Sequence, residues 1–69
     1  MELICKINVQ SYGFVDTKET PVTLEKGKIY ILEKAWDETG QVYYYKVIDE
    51  TKVITTISED ELKIFFEVN

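Results

Sequence analysis

Few side chains in this sequence could do chemistry. The acids form three adjacent groups, Asp37-Glu38, Asp49-Glu50 and Glu59-Asp60-Glu61. Paired carboxylates can divide general acid and base work, or hold a hard cation such as calcium. Nothing near Asp37 and Glu38 has the alternating ligand spacing of a calcium loop, so no metal is expected. Cys5 is the single cysteine. It falls on an apolar face and reads as a small core residue. The chain has no His and no Arg. It therefore lacks the commonest general base and neutral metal ligand, and any cationic partner for a thiolate beyond lysine. It also lacks the bidentate fork that reads phosphate, carboxylate and guanine. The eight lysines are dispersed, mostly beside acids, with no basic stripe. Neither catalysis nor a cofactor is expected.

The aromatic residues are more informative. Tyr43-Tyr44-Tyr45 is a run within a strand pattern, and Trp36 stands at a strand end beside a turn. Tyr and Trp are enriched at the centres of protein interfaces. Alternation puts at least one tyrosine outside, and Tyr44 is the expected one. The expected contact surface is Tyr44 and Trp36, joined by Tyr12 and Phe14, with Asp37 and Glu38 as a negative rim. The competing use of the same rings is core filling and cross-strand pairing, which small sheets need.

Thirteen acids against eight lysines leave a net charge of −5. Such a chain is repelled by nucleic acid and by anionic lipid, so neither is an expected direct partner. A second use of the acids is to imitate nucleic-acid phosphates and occupy a basic site on a nuclease or polymerase. Turn chemistry, helix capping and solubility also account for every acidic position.

These residues must be positioned by a nearly all-β chain. Leu3, Cys5, Ile7 and Val9 alternate with Ile4, Lys6 and Asn8, a period-2 strand. The pattern dissolves between Gln10 and Pro21, where a long loop is expected. Glu25-Lys26-Gly27-Lys28 reads as a tight turn with Gly27 at positive φ. A strand follows from Ile29 to Ala35 or Trp36. Asp37 to Gly40 is a hairpin turn, with Gly40 suited to the left-handed position. Val42 to Ile48 is a strand, with Tyr43, Tyr45 and Val47 expected on the buried face and Lys46 facing water. Asp49 to Lys52 is a second hairpin turn, and Val53 to Ile57 a β-branched strand. Ser58 and Glu61 form a capping-box signature. About one turn of helix is expected there, before Ile64 to Val68 resumes strand character.

Sixty-nine residues make one domain, spanning 1–69. A chain of this size buries only about 60% of the surface its unfolded state exposes, which leaves little core to spare for a deep pocket. Five strands in so short a chain must close on themselves to bury one face and protect their edges. A small, partly open barrel with a helical turn before its last strand is the natural solution. The opening residues have no basic segment or cleavage site, and a lone cysteine suits a reducing compartment, so a cytoplasmic location is expected. Residues with AT-rich codons dominate, while Gly, Ala, Arg and Pro are scarce, which points to a low-GC bacterium, its phage or a plasmid.

The order of elements resembles the SH3-like barrel, most clearly from Val22 to Val68. Leu24-Glu25-Lys26-Gly27-Lys28-Ile29-Tyr30 is similar to the family's diverging turn, and Ile31-Leu32-Glu33-Lys34 to the exit of its second strand. Tyr44-Tyr45-Lys46-Val47 resembles the aromatic pair of the third strand. Ser58-Glu59-Asp60-Glu61-Leu62 resembles the helical turn before the last. More narrowly, the chain resembles short acidic SH3-like proteins of prophages in low-GC Gram-positive bacteria. The resemblance implies that Gln10 to Pro21 is the long first loop. It does not carry over the family's proline-rich peptide site, because the groove positions read Ile7, Val9, Ser58 and Glu61, and only Tyr44 matches. The expected function is non-catalytic binding of another protein, by a monomer or weak homo-oligomer. A structural subunit of a phage or bacterial assembly, pairing through its sheet edges, is a further alternative.

Overall fold

The computed structural model describes residues 1–69. Strands hold 59% of the chain, so the fold is all-β with one short helix. The strands are β1 (Glu2–Cys5), β2 (Val9–Val15), β3 (Lys18–Leu24), β4 (Ile29–Asp37), β5 (Val42–Ile48), β6 (Ile54–Ile57) and β7 (Phe66–Val68), with α1 (Glu59–Phe65) before the last. They form one antiparallel sheet in the order β3-β2-β6-β5-β4-β1-β7.

This order forces the sheet to curl. β1 and β2 are sequence neighbours but lie four strand steps apart, about 19 Å in a flat sheet. The connecting run from Cys5 to Val9 reaches at most ~14 Å when fully extended. The two ends of the sheet must therefore bend toward each other, and the result is a half barrel. The β3-to-β4 connection makes the same crossing through Glu25–Lys28. The two crossings hold each other. Asn8 Oδ1 accepts from the Lys26 amide at 2.8 Å, Cys5 O accepts from the Gly27 amide at 2.9 Å, and the Cys5 amide donates to Lys28 O at 3.0 Å. Gly27 takes the positive φ (88°) that the sequence predicts for this turn.

Seven strands replace the expected five, for two reasons. The alternating run from Leu3 to Val9 is two strands, because it serves two sets of partners. Leu3 and Cys5 pair with β7, whereas Val9 pairs with Leu24 of β3. The break at Lys6–Asn8 leaves Ile7 45% exposed, although it continues the apolar alternation. The second addition is β3, which with the body of β2 fills the segment expected to be a long loop. Residues 9–24 form the β2–β3 hairpin, closed by Asp16 and Thr17 with Asp16 at φ 57°. Pro21 is tolerated there because β3 is an edge strand, where one missing amide donor costs little.

Gly13 is the tightest point of this hairpin. A Cβ there would stand 2.6 Å from Val53 Cγ1 and 3.1 Å from Ile54 O. Glycine is therefore what lets β2 lie against β6, where Phe14 pairs with Ile54.

The concave face holds the core: Leu3, Cys5, Leu24, Tyr30, Val47, Ile57 and Phe66, all at most 3% exposed. Tyr30 and Phe66 meet edge to face at 5.5 Å. The Tyr30 hydroxyl accepts from the Glu25 amide at 3.0 Å, so a polar group enters the core with its partner. The helix is longer than the single turn expected. Ser58 and Glu61 complete the reciprocal capping box, at 3.0 and 3.1 Å. Leu62 and Phe65, three residues apart, both pack against the core, which carries the helix to Phe65 and shortens the last strand to Phe66–Val68. No helix of the chain is long and apolar enough to cross a membrane.

Candidate functional site

The β4–β5 hairpin positions the aromatic residues. Its strands pair in register from Ile31↔Ile48 to Asp37↔Val42. Tyr43, Tyr45 and Val47 share the concave face, as alternation predicts, but their burial is graded. Val47 is 1% exposed, Tyr45 is half-buried and Tyr43 is 58% exposed. The hairpin outruns the core, so its far end continues the concave face into solvent. The expectation that Tyr43 is buried is thus corrected, while the face assignment holds: Tyr43 is the more exposed ring. Tyr44 occupies the convex face and is half-buried, as is Lys46.

The turn is also shifted. The loop runs from Glu38 to Gln41, one residue later than the sequence suggests. Asp37 Oδ1 accepts from the Thr39 amide at 3.0 Å, and Gln41, not Gly40, takes the left-handed conformation at φ 53°. This shift sets Trp36 directly opposite Tyr43. Their rings meet edge to face, 4.8 Å apart at 63°, and the Lys34 ammonium lies 4.1 Å from the Tyr43 ring centroid. Trp36 is 49% exposed.

Trp36, Asp37, Glu38 and Tyr44 line one shallow groove together with Thr56 of β6. The structure therefore brings together four of the six residues that the sequence nominates. Tyr12 and Phe14 stand apart, on the convex side of β2. Tyr12 is exposed beside Pro21 in a groove of the β2–β3 hairpin, and Phe14 stands opposite Ile54. Tyr43 and Lys34 are the members that sequence reasoning missed. Their signal was the hairpin register, which a turn placed one residue early conceals.

The acids do not converge. No group of three or more Cys, Asp or Glu side chains is arranged to hold a metal ion. Several carboxylates serve the local backbone. Asp49 Oδ1 accepts from Thr51 N, Thr51 Oγ1 and Val53 N at 2.7–3.1 Å, which builds the β5–β6 turn. Glu25 binds Lys28 at 3.0 Å, and this hydrogen bond and charge raise the lysine's pKa. Burial pushes up the Cys5 thiol, whose Sγ donates to Ile7 O at 2.9 Å, and the Tyr30 phenol. Both are core groups held in the neutral form.

No family model, curated protein or solved structure matches the chain.

Proposed function

We propose that this chain is a non-catalytic protein-binding module built on an SH3-like barrel. Support for the barrel class is topological. β1 pairs with both β4 and β7, β4-β5-β6 is a meander, and the helix stands immediately before the last strand. The β2–β3 hairpin occupies the place of the family's long first loop.

The observation that carries the binding reading is the Trp36–Tyr43 pair. The two rings are pre-ordered against each other, yet each keeps about half its surface in water, at 49% and 58%. Rigid aromatic rings give large contact area at low entropic cost, and Trp and Tyr dominate interface energetics. Asp37 and Glu38 line a groove with Trp36 and give its edge a negative charge. A partner segment with an apolar side chain and a neighbouring lysine or arginine fits this surface: the apolar group against the rings, the cation toward the carboxylates. Composition points to a low-GC bacterium, its phage or a plasmid, and the resemblance to short acidic SH3-like proteins implies an accessory role in a Gram-positive host or its prophage.

The test is affinity capture from a low-GC bacterial lysate at low and high salt, with Trp36→Ala as the control. A partner that survives salt and is lost with Trp36→Ala supports this surface. A nuclease or polymerase that salt releases and Trp36→Ala retains points to the acids instead.

A further inference from the structure

The β2–β3 hairpin is tied to the body at its base and held by little above it. At the base, Leu24 is buried and Val9 packs against the core. The Asn8–Lys26 and Cys5–Gly27 bonds fix the two segments that enter it. Within the hairpin the ladder is continuous, from Val9↔Leu24 to Val15↔Lys18. Toward the body it is a single pair, Phe14↔Ile54, and β3 has no partner on its outer side.

Side chains add little to that one pair. By register, Ser11, Gly13 and Val15 share the concave side with Lys18, Thr20 and Val22. Val22 is the one half-buried apolar side chain among them, and Val15 is exposed. A Cβ on Gly13 would meet Val53 Cγ1, Ile54 O and Thr55 Oγ1, all within 3.1 Å, so its bare backbone lies against these residues. On the other face, Phe14 and Tyr12 are both exposed. The segment from Gln10 to Thr23 thus lacks the apolar burial that would make its release as costly as global unfolding.

Backbone direction shows what a release would break. Asp49 N donates to Val53 O, so by alternation Val53, Thr55 and Ile57 direct their amides and carbonyls to β5, and Ile54 and Thr56 direct theirs toward β2. The two-residue turn at Asp16 and Thr17 makes Val15↔Lys18 a hydrogen-bonded pair. Gly13 and Thr20 therefore bond each other, while Phe14 and Tyr12 point toward β6. Moving the hairpin away from β6 breaks the Phe14–Ile54 pairing and leaves the ladders on both sides whole.

We infer that Gln10–Thr23 is a flap, which swings on its Asn8–Lys26 base as one paired unit while the rest of the chain stays folded. Opening uncovers Val53 and Thr55 beneath Gly13 and turns Ile54 and Thr56 into a free strand edge. A free edge is a template for a strand of another chain, so the flap gates that edge. The β4–β5 hairpin pairs with neither β2 nor β3, and the Trp36–Tyr43 surface does not depend on the flap.

The test is amide hydrogen exchange of the whole chain, read residue by residue by nuclear magnetic resonance and corrected for intrinsic rates. The Ile54 and Phe14 amides are expected to exchange together, at least ~100-fold faster than those of Thr55 and Val47, which require global unfolding. The Gly13 and Thr20 amides, bonded inside the hairpin, exchange more slowly than Ile54. Urea below the unfolding midpoint speeds Ile54 with a slope above zero but smaller than that of Thr55, the mark of a partial opening that exposes surface. Phe14→Ala speeds Ile54 a further ~10-fold and Thr55 by less. Val22→Ala is the second variant should Phe14→Ala unfold the chain. Ile54 as slow as Thr55 would overturn the inference, because the hairpin would then open only with the whole fold. Gly13 and Thr20 as fast as Ile54 would show a hairpin that melts rather than swings, and a zero urea slope at Ile54 would show a local fluctuation; either result also overturns it.

Discussion

Trp36 and Tyr43 face each other across the β4–β5 hairpin, edge to face at 4.8 Å, at a point where the hairpin has left the core behind. The pair is therefore ordered by its neighbours but not sealed by them. Trp36→Ala is expected to cost the fold under about 1 kcal/mol, because neither ring is buried. The same change is expected to cost partner binding about 2 kcal/mol or more, roughly 30-fold in Kd. Chemical denaturation and a binding isotherm measure the two effects separately. A large loss of stability with no loss of binding would show that the pair is structural.

The close approach of β2 to β6 makes Gly13 irreplaceable without movement. Gly13→Ala is expected to destabilise by about 1–3 kcal/mol, since its Cβ would meet Val53 Cγ1 and the Ile54 carbonyl. Adding Val53→Ala removes the closest atom and should recover part of the loss. A neutral Gly13→Ala in urea denaturation would contradict the packing described for the first hairpin.

Much of this fold is readable from residue pattern, but the readable parts share a feature. The β4, β5 and β6 strands, the Gly27 turn and the Ser58 cap are specified by local chemistry: alternation, β-branching, a positive φ and a reciprocal hydrogen bond. The misread parts depend on distant partners. Apolar alternation runs unbroken through Lys6–Asn8, and only the requirement that Cys5 face β7 while Val9 faces β3 divides it. The β2–β3 hairpin is largely polar because it lies at the sheet edge; its buried positions are Leu24 at its end and Gly13 within it, and Gly13 has no side chain to advertise it. Tyr43 shows that parity sets a face but not burial, because burial depends on where the core ends.

The two crossings at Asn8 and Lys26 hold the ends of the curled sheet together. Asn8→Ala leaves the Lys26 amide without its 2.8 Å partner and is expected to cost about 0.5–1.5 kcal/mol. Exposure of this bond lets water compensate in part, so the low end applies. Amide hydrogen exchange at Lys26 should quicken in the variant. Unchanged exchange would mean that other contacts close the barrel.

Alkaline pH should unfold the chain in a defined direction. Burial raises the Cys5 and Tyr30 pKa values above their ordinary 9.0 and 10.0. The unfolded chain then loses these protons at lower pH than the folded one. Stability is full below the ordinary values and falls as pH rises toward the raised folded ones. The urea midpoint is expected to hold from neutrality to about pH 8.5 and to decline above it. Cys5→Ala should shallow the decline, although it lowers stability at every pH by opening a small cavity. A midpoint that rises with alkaline pH would reverse the assignment of these groups as neutral core members.

The central claim is that the exposed hairpin rings are a protein-contact surface. Its most direct measurement is the Kd of the captured partner for wild-type, Trp36→Ala and Tyr43→Ala chains, each verified as folded, at ~0.05 and ~0.5 M salt. The account predicts a loss of roughly 30-fold for Trp36→Ala, a loss of at least several-fold for Tyr43→Ala, and only a mild effect of salt. Unchanged affinity in both variants, with binding abolished by salt, would contradict it.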